Sequence, residues 1–205
     1  MQTFFASPER STSDEIEREH ELFTAEKMFD ILYSPLPEVL MILDHNRQVV
    51  YYNEALVSFL SRGSDLLGLR PGEVLSCIHA CETPGGCGTS EACRTCGAVK
   101  AILAALDGNC AEEECRLTAG PSGAESSLDL RVAARPLEIG GKRFAVLLLN
   151  DISDMKRRHT LERIFFHDVI NTAGSVMQLA DFIVEHGAEK GTEILTVLGS
   201  ASRRL

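Results

Sequence analysis

A basic stripe is missing from this chain. Its 205 residues include 20 lysine or arginine against 30 aspartate or glutamate, a formal net charge of −10, and the basic residues do not cluster. Phosphate backbones are held by basic patches, so no nucleic-acid partner is expected. A long apolar run is missing too: none exceeds residues 144–149 (FAVLLL), whereas a bilayer crossing needs about 20 apolar residues. The N-terminus, MQTFFASPERSTSDEIEREHE, has no basic segment followed by an apolar one, so it is not read as a secretory signal. No membrane partner is expected, and the chain reads as cytoplasmic. Also absent are a nucleophile elbow, a P-loop and a His-Glu-x-x-His run, which leaves a conventional hydrolase without support.

What is present is an ordinary globular composition, 44% apolar and 24% charged. The length suits one domain with accessory helices, or two small domains. There are seven cysteines. In a cytoplasmic chain they point to thiol, metal or redox chemistry before structural disulfides, and an odd count forbids complete internal pairing.

Residues 1–12 are polar and expected to be mobile. Residues 13–33 turn helical, with Ser13 as the expected N-cap, and Ser34-Pro35-Leu36-Pro37 ends them. Two strand-like runs follow at 39–43 and 48–52, joined by the turn residues Asp44-His45-Asn46-Arg47. Asn53 caps a short helix over 54–61. Gly63, Gly68, Pro71 and Gly72 mark a loop. A helix is expected over 91–106. Three strands then follow: 114–119, 127–137 and 143–149. Gly140-Gly141 forms a hairpin turn, and the last strand is apolar on both faces, as a central strand would be. The expected fold is α+β, a five-stranded antiparallel sheet with helices on one face. Beyond Ile152 the pattern stays helical to Leu205, with one break at 187–191.

This order of elements, with Tyr51-Tyr52-Asn53-Glu54-Ala55-Leu56 after the second strand, resembles a PAS domain. Asn150-Asp151-Ile152-Ser153 resembles the junction joining PAS domains to output helices, so Asp151 and Ile152 are the implied signal junction. Residues 163–171 (RIFFHDVIN) resemble the H-box of sensor histidine kinases, matched at His167, Asp168 and Asn171, although the usual proline is absent. The resemblance covers roughly residues 36–205. It implies an N-terminal helix and linker (1–34), a PAS-like sensory domain (35–153) and a dimerisation and phosphotransfer helical hairpin (154–205). It also implies a response regulator as partner, and ATP bound by a separate kinase domain. That ATP-binding domain is missing here, and the expectation is a fragment or truncated product that cannot phosphorylate itself.

The residues agree with that reading. On a helical wheel Leu161, Phe165, Val169, Val176, Leu179 and Ile183 fall within about 80° of arc, and His167 lies about 160° from its middle. A phosphoacceptor needs that solvent side. The Asp168 carboxylate can accept one imidazole N–H and make the other nitrogen a better nucleophile. Asn171 lies one turn on; the resemblance implies that it positions water for phosphatase action. The plainer reading is an exposed histidine on an amphipathic helix. Residues 192–205 carry Ile194, Val197, Leu198, Ala201 and Leu205 at helical spacing, so a homodimeric four-helix bundle is expected.

Residues 76–97 hold five of the cysteines. Cys93-x-x-Cys96 followed by Gly97 lets two thiolates face one ion; Cys77 and Cys87 complete the set, with His79 and Cys81 as alternates. Four thiolates suit zinc or an iron–sulfur cluster. The segment also resembles a cysteine-rich variant of the PAS domain. A reversible Cys93–Cys96 disulfide and plain burial are the competing readings, and core packing is expected of Cys115. Two functions follow: a sensory and phosphoacceptor part of a sensor histidine kinase, or a non-catalytic metal- or redox-sensing module. A thiol oxidoreductase is weaker, because no βαβ context surrounds Cys93 and Cys96.

Overall fold

The computed structural model describes residues 3–25, 28–60, 65–120 and 126–186. The chain divides into two compact units, Met1–Ser153 and Asp154–Leu205.

In the first unit the elements are α1 (Ser13–Thr24), α2 (Met28–Tyr33), β1 (Val39–Leu43), β2 (Val49–Tyr52), α3 (Glu54–Leu60), α4 (Pro71–Val74), α5 (Gly97–Leu106), β3 (Ala111–Ala119), β4 (Ser126–Ile139) and β5 (Lys142–Asp151). All strand pairs are antiparallel, in the order β2-β1-β5-β4-β3. This is the five-stranded antiparallel sheet with helices expected from the sequence. The strand apolar on both faces, β5, lies at the centre. Gly140 and Gly141 both have positive φ (59° and 74°), as the tight β4–β5 turn requires.

Alternation along the strands sends side chains to two faces. Val39, Met41, Leu43, Val132, Ala134, Leu147 and Leu149 form one core with Leu56 of α3, Val74 of α4 and Ala101, Ile102 and Ala105 of α5. Leu40, Ile42 and Phe144 point the other way, and there the structure departs from expectation. That face is covered as well, by Ile16 and Phe23 of α1 and Phe29 and Tyr33 of α2. Phe23 is fully buried, edge-on to Phe29 (5.3 Å, 86°) and to Phe144 (5.1 Å, 85°). Helices therefore flank both faces, because a two-sided apolar sheet cannot leave one side wet.

Other differences are local. The N-cap of the first helix is Thr12, in a capping box with Glu15, rather than Ser13. Residues 3–12, expected to be mobile, lie against the cysteine segment through Phe4 N–H to Thr89 O and Ala6 N–H to Gly88 O, both 3.0 Å. The helix expected over 91–106 is split into a single 3₁₀ turn (Ala92–Arg94) and α5, with Cys96 extended between them (φ −70°, ψ 117°). β1 and β2 shift register between Ile42 and Leu43, and His20 Nδ1 donates to the carbonyl of Val50 there, 2.7 Å away.

Buried Asn53 ties the start of β1 to the start of α3 and to the chain before β1. Its Oδ1 accepts from Leu40 N–H (3.0 Å) and Leu56 N–H (3.4 Å), and its amide donates to Glu38 O (2.9 Å) and Tyr33 O (3.2 Å). In the second unit, α6 (Ser153–His186) is one continuous helix. The break at 187–191 and the helix expected over 192–205 lie outside the described residues, as does Gly63.

Phe23→Ala should lower the stability of the first unit by about 3–5 kcal/mol, the cost of emptying a fully buried aromatic site. Urea unfolding of the full chain measures this. A loss near zero would mean that α1 is not part of the folded core.

Candidate functional site

The cysteine segment closes over the end of the sheet that faces α4 and α5. A cavity of about 290 Å³ lies there, and Cys77, Cys87, Cys93, Cys96 and Cys115 all line it, together with His79. All four expected metal-ligand cysteines thus face one space. Of the alternates, His79 lines it while its Nδ1 lies 2.6 Å from Glu82 Oε1, and Cys81 is exposed and outside it.

Two glycines permit this convergence. A Cβ on Gly72 would fall 2.6 Å from Cys87 Sγ, so only the bare backbone lets that thiol in. A Cβ on Gly97 would fall 2.2 Å from the carbonyl oxygen of Glu114, so glycine lets the first turn of α5 rest directly on β3. The residues flanking that contact are Cys96 and Cys115, and their sulfurs are 3.5 Å apart. Cys115 is buried, as the core-packing expectation holds, yet it also belongs to the thiol group. Its alternation with Leu117 and Ala119 made the inward face legible. The approach of α5 is a tertiary fact that alternation does not encode.

The thiols differ electrostatically. Burial pushes the Cys87 thiol up to about 12 and raises Cys77, since a desolvated thiolate is disfavoured. A hydrogen bond from Cys115 lowers Cys96 to about 6, helped by the amides of Val99 and Ala98 at the start of α5, and the same pairing raises Cys115. Each of Cys93, Cys96 and Cys77 adds a charge interaction at Cys87, which marks the four as neighbours. Soft thiolates around a shared cavity fit zinc or an iron–sulfur cluster by donor chemistry. As arranged, no group of three or more His, Cys, Asp or Glu among the described residues is placed to hold a metal ion. The nearest contacts are pairwise: Cys96 with Cys115, and Cys93 Sγ with Ser90 Oγ at 3.3 Å.

The loop is held from below by Arg70, which sequence reasoning missed. Arg70 is fully buried, and its guanidinium donates to the carbonyls of Gly85 (2.6 Å), Cys87 (3.3 Å), Asn46 (3.1 Å), Glu9 (2.5 Å) and Ser7 (3.4 Å). Arg47 also donates to Ser7 O (2.6 Å), and Arg10 pairs with Glu73. Desolvation brings Arg70 down to about 10, which leaves it charged at neutral pH.

The junction residues are placed on the sheet. Ile152 is buried, and its N–H donates to Asp129 O (2.8 Å). Ser153 Oγ accepts from Asp129 N–H (2.9 Å), while Ser153 N–H and Oγ–H donate to Asp151 Oδ1 (2.9 and 2.6 Å). Asp151 and Ile152 were expected; the partner, the Asp129 main chain on β4, was not.

In the second unit His167, Asp168 and Asn171 come together on α6. His167 Nδ1 lies 3.3 Å from Asp168 Oδ1, and both side chains are 71% exposed. Asn171 Nδ2 is 3.1 Å from His167 Nε2 and 3.2 Å from Nδ1, over the ring. The hydrogen bond to Asp168 requires the proton on Nδ1 and leaves the lone pair on Nε2. α6 also exposes Leu161, Ile164, Phe165, Phe166, Val169 and Ile170, each more than two-fifths accessible.

No family model matches the chain, and no curated protein matches it. Solved structures do. The chain is similar to a PAS domain from a two-component sensor histidine kinase, 15% identical, covering 61% of this chain and 94% of that one with a TM-score of 0.40. It is similar to the PAS domain of nitrogen regulation protein NR(II) from Vibrio parahaemolyticus (14% identical, 60% and 96% covered, TM-score 0.40). It is also similar to the PAS domain of BvgS from Bordetella pertussis (14%, 71% and 96%, TM-score 0.42). Among the described residues no helix is long and apolar enough to cross a membrane.

Arg70→Met should strand five carbonyls and cost about 3 kcal/mol or more in urea unfolding. It should also speed alkylation of Cys87 at neutral pH. Unchanged stability and labelling would show that the guanidinium does not hold the loop.

Proposed function

We propose that this chain is the sensory and phosphoacceptor part of a two-component sensor histidine kinase. The carrying observation is the exposed His167, with Nδ1 turned to Asp168 and Nε2 left as the nucleophile beside Asn171. In this reading the Nε2 lone pair attacks the γ-phosphorus of ATP held by a separate kinase domain, and ADP leaves. Asp168 stabilises the charge that develops on the ring. A response-regulator aspartate then takes the phosphoryl group, and Asn171 orients water for its hydrolysis. The exposed apolar residues of α6 call for a second copy, so the chain acts as a homodimer with a four-helix bundle. In this reading the signal reaches α6 through Asp151 and Ile152, which are joined to the Asp129 main chain by the Ile152 N–H and by way of Ser153.

The second reading, a metal- or redox-sensing module without phosphotransfer, is favoured by the five thiols around one cavity. Cys77, Cys87, Cys93 and Cys96 would hold zinc or an iron–sulfur cluster. Bound there, zinc would supply a structural staple and a cluster would supply a redox couple. The protein's own part is to bring four thiols to one cavity, with Gly72 making room for the Cys87 sulfur.

With a separate histidine-kinase ATP-binding domain and labelled ATP, the full chain should acquire an acid-labile label. His167→Gln should abolish it and Asp168→Asn slow it by roughly 100-fold. Label that persists in His167→Gln, or none in the parent chain, would sink the phosphoacceptor reading. Elemental analysis with an absorption spectrum of anaerobically purified protein tests the second. Near-stoichiometric zinc, or iron and sulfide with a band near ~400 nm, supports a bound group. Metal-free protein overturns it.

A further inference from the structure

The geometry points to a covalent site that the sequence does not pair: Cys96 and Cys115 form a peroxide-reactive dithiol, closing a disulfide between the start of α5 and β3. It concerns the same cavity as the sensing reading but needs no metal. The sulfurs are 3.5 Å apart, and they are held so by a backbone contact that glycine alone allows, α5 resting on β3 at Gly97 and Glu114. A disulfide needs about 2.05 Å between sulfurs, so closure asks for side-chain rotation and a small backbone shift rather than a refolding of the loop. The rival pair, Cys93 and Cys96, is served less well. Cys93 is buried in a 3₁₀ turn in a cluster with Ala6 and Val99 against which Cys96 also packs, but its sulfur is turned to Ser90 Oγ at 3.3 Å, whereas the Cys96 sulfur meets that of Cys115.

The two thiols have distinct parts. Cys96 is half-buried, precedes the ten-residue α5, and opens onto the cavity, so a small oxidant can reach it. Cys115 is buried on β3 and lines the same cavity, its sulfur 3.5 Å from that of Cys96. With a hydroperoxide as oxidant, the Cys96 sulfur attacks the distal peroxide oxygen. An S–O bond forms, the O–O bond breaks, and the leaving oxygen departs as an alcohol, or as water from hydrogen peroxide, carrying the thiol proton. The Cys115 sulfur then attacks Cys96. The S–S bond forms, the S–O bond breaks, and hydroxide leaves as water with the Cys115 proton. Two thiols supply two electrons, and one hydroperoxide is reduced.

The consequence is local and mechanical. A bond from the residue before α5 to the middle of β3 ties the two elements together across the wall of the cavity. It also removes Cys96 from the four expected ligand thiols, so disulfide closure competes with metal occupancy by that set.

The test treats the chelated full-length chain with increasing hydrogen peroxide, blocks remaining thiols, and maps peptides by mass spectrometry without reduction. The expected first product links the Cys96 and Cys115 peptides, short of two hydrogens. Cys93→Ser should leave that product in place. Cys115→Ser should abolish it and leave a sulfenic acid on Cys96 that dimedone traps. Should Cys115→Ser fail to fold, Cys96→Ser at the half-buried position should abolish the same linked peptide, and Gly97→Ala should slow its formation. A first product linking Cys93 to Cys96 overturns the proposal. So does recovery of both Cys96 and Cys115 as alkylatable thiols after other cysteines have been oxidised. Metal found in the untreated chain bears on the metal reading alone and leaves this outcome separate.

Discussion

A buried guanidinium is an expensive group, and the cysteine end of this protein is arranged around one. Arg70 is answered by five main-chain carbonyls drawn from three stretches of chain: the N-terminal arm, the turn between β1 and β2, and the cysteine loop. Carbonyl dipoles spread the charge without fixing a counter-ion, and in return three irregular segments acquire a common anchor. The loop has few apolar residues of its own to hold it. Arg70, with Arg47 and the Arg10–Glu73 pair, already supplies much of that anchoring. The thiols are therefore free to do something other than hold the loop shut.

From that anchor the cavity follows. The loop is pinned at Gly85 and Cys87; Gly72 makes room for the Cys87 sulfur, and Gly97 lets α5 down onto β3. Remove either glycine and the wall of thiols opens. The site thus rests on two places where a side chain is absent as much as on the five where sulfur is present.

What could be read from the residues and what could not divides along physical lines. The strands were legible because alternation has a period of two and a central strand is apolar on both faces, so β5 and the Gly140-Gly141 turn emerged directly. His167, Asp168 and Asn171 were legible because helical spacing alone brings them together. The partner of the second sheet face was not. Phe23 and Phe29 read only as part of a helical stretch over 13–33, since their placement is set by Phe144 and Tyr51, far along the chain. The contact of Cys96 with Cys115 was hidden for the same reason: nineteen residues and a helix reversal separate them. Arg70 gave no signal because a buried arginine and an exposed one look alike in sequence.

With helices on both faces, the sheet meets other chains only at its rims. One rim, β2, is stitched to the loop before α4, Val49 N–H to Leu69 O and Gly68 N–H to Val49 O, each 2.8 Å. At the other rim, β3, no further strand pairs among the described residues beyond a single bridge from Cys77 to Ala119. That edge would invite strand addition, yet it carries three consecutive exposed glutamates, Glu112 and Glu114 on one face and Glu113 on the other. Like charges facing like charges keep two such edges apart. The acidic excess of this protein thus has a local use: it discourages strand addition at this edge of the sheet.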